Sequence, residues 1–335
     1  MRKLYILGLA LATSTFFGAC NDEWEDELYS QMISFKAPLG DNSLNEIHIR
    51  YQPDGSGIYQ LPVIVSGSRD NERNIDVKIS VDEDTLRILN QEKFPVGRQD
   101  LWYLPLPEQH YSFESNICHI PAGTNVQLYP IHFNLNGLAL DDKYVLPLTI
   151  DEDPSYVQNI RKGYYKALLG INLFNDYSGT YNTTLMNIYI AGTTTDPAKV
   201  DTRVAKVVDE NTIFFYAGSV WSEDENRRRY KVYVEFGEGT EDEEGVIHGN
   251  LNVYGDDDPE TNIQPIGECT YERRVIQHET IKYLERHITT LNLSYKYTDV
   301  TSNSDYPMTY EVKGSMTMER QINPLIPDED QAIQW

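Results

Sequence analysis

Ile75-Asp76-Val77-Lys78-Ile79-Ser80-Val81 alternates apolar and polar side chains at every step. A β-strand turns successive side chains to opposite faces, so this stretch predicts a strand with one face in a core and one in water. The same reading extends both ways along the chain. Upstream, Ile47-His48-Ile49-Arg50-Tyr51 alternates, and Tyr59 to Ser66 is an apolar run closed by Gly67. Downstream, Ile117-Cys118-His119-Ile120 meets the turn Pro121-Ala122-Gly123, and Val126 to Leu135 alternates again. Tyr144 then leads into Val145-Leu146-Pro147-Leu148-Thr149-Ile150, and Tyr164 to Leu173 closes the series. Short strands separated by Gly, Pro, Asn and Asp turns predict an Ig-like antiparallel sandwich over residues 32–174. One short helical turn is expected in Asp82–Gln91, where Leu86 and Leu89 share a face.

After Asn172 the pattern changes. Ser178-Gly179-Thr180-Tyr181 resembles the start of small lipocalin-like barrels. Strands are expected over 185–190, 205–208, 212–217, 230–236, 247–254, 289–297 and 308–320. Such a set predicts a second antiparallel β domain over 175–335, either an up-and-down barrel or a sandwich, so the fold class is all-β.

The chain has 335 residues, 52 acidic against 28 basic, a net charge of -24, three cysteines and 24 tyrosines. A nucleic-acid partner is excluded, because no basic face can form against that field. Three cysteines do not make a disulfide scaffold. Residues 1–19 have the form of an export signal: Arg2 and Lys3, an apolar run from Tyr5 to Phe17, then Gly18-Ala19 before Cys20. The end resembles a bacterial lipobox, which implies that the Cys20 thiol is lipidated and anchors the chain to outer-membrane lipid. Asn21-Asp22-Glu23-Trp24-Glu25-Asp26-Glu27 lies within an expected acidic tether, residues 20–31. It resembles the surface-export signal of Bacteroidota lipoproteins, which implies display on the cell exterior. Removing residues 1–19 takes away Arg2 and Lys3 and no acid, leaving a charge of about -26. Cys118 and Cys269 lie in different domains and are expected to be buried thiols. His119 follows Cys118 on a strand and faces the other way, so the two cannot work as a pair.

Val65-Ser66-Gly67, Thr85-Leu86, Leu104-Pro105 before Tyr111, Ile120-Pro121-Ala122-Gly123 and Tyr144 to Ile150 occur in the order of a known module. The stretch resembles domain-of-unknown-function family 1735, an Ig-like module of Bacteroides surface lipoproteins. In one such protein it precedes an endo-β-N-acetylglucosaminidase domain. The last third is similar to family 4361, its C-terminal partner. The resemblance implies an accessory role in a polysaccharide-utilisation system, with a polysaccharide or glycan as ligand and other glycan-uptake envelope proteins as possible partners.

Catalytic and cofactor signatures are missing. There is no His-Glu-x-x-His site, Gly-x-Ser-x-Gly elbow, Gly-rich phosphate loop or Cys-x-x-Cys, so no cofactor, metal or catalytic residue is assigned. The acidic loops at 238–244 and 255–260 could in principle hold calcium, but read better as solvated turns. A sugar platform needs an exposed flat ring beside amides and charges. Trp221 is the leading candidate, on a polar loop with Tyr216, Asn226 and Arg227 nearby; Trp102, in Leu101-Trp102-Tyr103, is a second. Trp335 is read chiefly as docking the tail, and Arg227-Arg228-Arg229 as offsetting local acid. The reading is a non-catalytic glycan-binding lipoprotein. The alternatives are a structural or adhesive surface scaffold and a glycoside hydrolase of unrecognised type.

Overall fold

The computed structural model describes residues 29–37, 43–303, 305–328 and 330–335. The export signal, Cys20 and most of the acidic tether therefore lie outside the described residues.

Ten strands build the first unit: β1 (Met32–Phe35), β2 (Asn45–Arg50), β3 (Ser56–Ser66), β4 (Ile75–Val81), β5 (Leu104–Pro105), β6 (Tyr111–Phe113), β7 (Ile117–Ile120), β8 (Val126–Asn134), β9 (Tyr144–Ile150) and β10 (Lys166–Phe174). They form two sheets, β1-β3-β8-β6 and β2-β10-β9-β4-β7, with β5 added beside β9. The alternation at Ile75–Val81 works as expected: Ile75, Val77 and Ile79 are buried and Asp76 and Lys78 exposed. They pack with Leu61, Val63, Ile131, Leu146 and Leu148 in one core between the sheets. The sandwich is not wholly antiparallel, because β10 pairs with β2 in parallel from Leu169↔Asn45 to Phe174↔Arg50. The end of the expected tether is tied down: Tyr29 N–H donates to Ser68 Oγ at 2.9 Å and Gln31 Nε2 to the Asp70 carbonyl at 3.0 Å.

The expected helical turn is α1 (Glu83–Lys93). Asp82 caps it, accepting from the Thr85 N–H at 3.3 Å, and Glu83 and Asp84 favour the positive end of the helix. Lys166 holds the cap in place, 2.8 Å from Asp82.

The second unit resolves to a barrel. Its strands are β11 (Gly179–Asn182), β12 (Asn187–Ile190), β13 (Thr202–Val207), β14 (Thr212–Tyr216), β15 (Lys231–Glu241), β16 (Ile247–Tyr254), β17 (Gln264–Pro265), β18 (Thr270–Gln277), β19 (Glu285–Asp299), β20 (Met308–Ile322) and β21 (Ile333–Gln334). The circuit β11-β13-β14-β15-β16-β18-β19-β20 closes on itself through β20 and β11. Closure leaves no open edge around that circuit. β11 and β12 run one after the other along β20 with a bulge between them. Gly314 sits opposite that bulge at φ +135°, where a Cβ would collide with the Leu185 carbonyl. Alternate inward residues fill the barrel, including Tyr181, Phe215, Val234, Leu291, Tyr295 and Met316. A void of about 20 Å³ lies among Met186, Arg203, Phe215 and their neighbours. Among the described residues the middle of the lipocalin-like outline is thus a packed core.

Both described cysteines are free and buried. Burial pushes the Cys118 thiol up to about 11. His119 is on the opposite face, with Nδ1 2.6 Å from Asp76.

Candidate functional site

The loop after β14 begins at Gly218, whose N–H donates to the Tyr295 hydroxyl at 3.1 Å. Its φ of +51° and the Tyr297 hydroxyl where its Cβ would stand leave no room for a side chain. Trp221 follows, its backbone N–H fixed by Asp224 Oδ2 at 2.7 Å. The residue is 51% exposed, with the Arg203 guanidinium 5.0 Å from its ring centroid. Arginine on that ring is a cation–π contact. Asn226 is also exposed, at the end of the same loop.

Two of the three further expected site residues are buried. Tyr216 and Arg227 are each only 7% exposed. With the half-buried Trp102 they line a crevice of about 20 Å³ between the two units. That space suits about one water and no sugar. The reason is electrostatic. Arg227 binds the sandwich, Nη1 3.4 Å from Asp100 Oδ2 and Nη2 donating to the Asp100 carbonyl at 3.0 Å. Arg98 holds Asp100 from the other side at 2.9 Å, and holds that carboxyl below its ordinary range. Arg228 lies 2.9 Å from the buried Asp141 and also bonds Asp142, while Arg229 bonds Asp258 and Glu260. All three arginines therefore pair with acids, and two of them latch the barrel to the sandwich. Tyr216 and Arg227 are interface residues, a correction to their expected role in ligand binding.

The acidic loops are similarly occupied. Asp242 accepts from the Val246 N–H at 2.9 Å and lies 2.8 Å from His248. Among the described residues, no cluster of three or more His, Cys, Asp or Glu could hold a metal. No helix among them is long and apolar enough to cross a membrane.

The larger opening lies on the other side of this latch. A cleft of about 400 Å³ runs between the outer face of β2, β9 and β10 and the outer face of β13. Its walls carry Glu46, His48, Asn172, Lys206 and Trp335. The Asn172 amide donates to Glu46 Oε2 at 2.8 Å. Trp335 stacks on His48, with centroids 3.8 Å apart and planes within 3°, and meets the edge of Phe174 at 4.8 Å. Trp335 as a whole residue nevertheless stays 55% exposed. Burial first, then Lys143, pushes the Lys206 amine down to about 8. Its Nζ donates to the Asp141 carbonyl at 3.2 Å. The cleft thus places a stackable ring beside an amide, a carboxylate and an amine.

The whole arrangement has close relatives. A multidomain protein including DUF1735 from Bacteroides ovatus is 39% identical and superposes with a TM-score of 0.77, over 90% of this chain and 99% of that one. The chain belongs to this DUF1735-containing family. A second B. ovatus member, of unknown function, is 41% identical with a TM-score of 0.78, over 91% and 100% of the two chains. An auxiliary nutrient binding protein from Bacteroides thetaiotaomicron is 30% identical with a TM-score of 0.77, over 88% and 97%. Within the family, residues 24–154 match the domain-of-unknown-function model DUF4973 and residues 165–317 match a C-terminal-domain model. No curated protein matches the chain.

Proposed function

We propose that the chain is an accessory glycan-binding protein for nutrient capture, without catalysis of its own, and that its ligand lies in the cleft beside Trp335. The observation that carries this is the half-exposed Trp335 on the cleft wall, its ring backed by His48, with the Glu46–Asn172 pair on the same wall. A flat ring stacks on the C–H face of a sugar while amides and carboxylates take its hydroxyls. The packed barrel directs attention to this groove. The related auxiliary nutrient binding protein supports the nutrient role. Lipidation of Cys20, display on the outer face of the outer membrane and contact with glycan-uptake envelope proteins complete the proposal, supported by residues 2–27.

The test is affinity electrophoresis of residues 21–335 through gels containing a panel of polysaccharides, with sugar release measured on the same samples. Retardation without release is expected, abolished by Trp335→Ala and retained by Trp221→Ala. The opposite pattern would place the site on the loop after β14. Sugar release would make the protein a hydrolase. No retardation on any glycan would leave a scaffold role among surface proteins.

A further inference from the structure

The inward face of the barrel changes character at one mouth. Along the β19–β20 ladder, Leu291 faces Met316, Thr289 faces Met318, and then His287 faces Arg320. Arg273 joins from β18 opposite Thr289, and Arg50 arrives from the end of β2. A cavity of about 470 Å³ opens there, roofed by Pro324, Ile326, Pro327 and Ile333 of the returning tail.

The charges around it are unevenly matched. Arg50 holds Asp176 at 2.8 Å and Asp330 at 2.6 Å. Arg273 lies 3.7 Å from Asp176, and His287 lies 3.2 Å from Glu285. Arg320 is different. It is 8% exposed, donates to the Ser178 carbonyl, and lies 5.3 Å from the Trp335 ring and 5.6 Å from the Phe174 ring. Among the described residues no carboxylate comes within 4.0 Å of it. Asp176 acts on it only from a distance and is already shared by Arg50 and Arg273. A buried cation with no carboxylate in contact is unfavourable, and a guanidinium carries five donors in a fork shaped for one.

We propose that this cavity is a second binding site, for the carboxylate of a small organic acid, with Arg320 and Arg273 on the carboxylate and the aliphatic tail segment over its body. Barrel mouths are a common place for ligands of this size. Apolar strands below supply a rigid floor, and the anion supplies the contacting carboxylate that Arg320 lacks. The inference stands apart from the glycan reading, since Trp335 lines the cleft and Arg320 this cavity, although the two side chains are neighbours. Two sources share the chemistry: an acidic sugar and an aliphatic acid.

The experiment is calorimetric titration of residues 21–335 at pH 7 with galacturonate and hexanoate, each against its neutral counterpart, galactose and hexanol. At least one acid should bind and raise the melting temperature, and its neutral counterpart should not. Which acid binds distinguishes the two sources. Arg320→Gln should weaken binding by about tenfold or more, as expected for loss of a charge-assisted pair. Arg273→Gln, nearer the surface, should weaken it several-fold and serves if Arg320→Gln does not fold. The proposal is overturned if neither acid binds, if the neutral compounds bind equally, or if binding survives both substitutions. Loss of glycan retardation in Trp335→Ala with acid binding intact would separate the two sites.

Discussion

Trp335 stacks face to face on His48, centroids 3.8 Å apart, so the last residue of the barrel unit rests on the second strand of the sandwich. Strand β21 holds the tail in position by pairing Ile333 with Ile322 and Gln334 with Gln321. The contact therefore joins the two units at a second point besides the Arg227 and Arg228 latch.

Removing the ring should show this. An aromatic pair contributes about 0.5–1.5 kcal/mol beyond its buried area. Trp335→Ala is expected to lower the melting temperature by a few degrees. Trp221→Ala, at an exposed loop, should change stability by about 0.5 kcal/mol or less. Scanning calorimetry of both variants gives the comparison, and equal effects would argue against a joining role for Trp335.

The same contact should respond to acid. Burial lowers the His48 pKa, Glu46 opposes the shift, and Arg320 adds to it. The folded protein then binds a proton less readily than the unfolded chain. Stability from this group is present above the ordinary histidine pKa of about 6.5 and is lost as pH falls below it. Melting temperatures between pH 7.5 and 5 should decline, and His48→Gln should flatten that part of the profile. An unchanged profile in the variant would assign the decline to other groups.

Arg227 offers a test of the latch. Its guanidinium is buried and bonds both the side chain and the backbone of Asp100. Arg227→Met keeps most of the volume and removes the charge. Bonds of this kind contribute about 1.5–3 kcal/mol each way of counting. The variant should melt earlier, with the sandwich and barrel separating into two calorimetric transitions. A single transition at the original temperature would show that the units are joined elsewhere.

Gly218→Ala should be costly for a local reason. The residue has φ +51°, and a Cβ would meet the Tyr297 hydroxyl. Strain and collision together should destabilise by about 2 kcal/mol or more in urea unfolding. Gly97→Ala is the control, because at φ +91° it has strain but open space around it. Equal losses would show that the Tyr297 contact yields easily.

The strands were legible where one face is wet. Ile75–Val81, Ile117–Ile120 and Ile247–Tyr254 have the bounds that alternation predicts. Strand β18 was missed, because Glu272-Arg273-Arg274 obscures the apolar face that Tyr271 begins. The sequence could not tell barrel from sandwich, since closure depends on which strands meet through space. Tyr216 and Arg227 looked available for the same reason: nothing local shows that Asp100 and Asp141 cover that side. His48 and Trp335 meet only once both units are folded. One signal was present and unread. Met316, Met318 and Arg320 occupy successive inward positions, and a charge continuing an apolar face marks a polar pocket.

The parallel pairing of β2 with β10 has a consequence for how the chain is made. The first unit borrows a neighbour for one of its earliest strands from its final one, residues 166–174. During synthesis the sheet stays incomplete until that strand has left the ribosome, and its apolar face meanwhile waits for a distant partner. Long-range closure of this kind is slow and leaves the nascent chain open to misassembly.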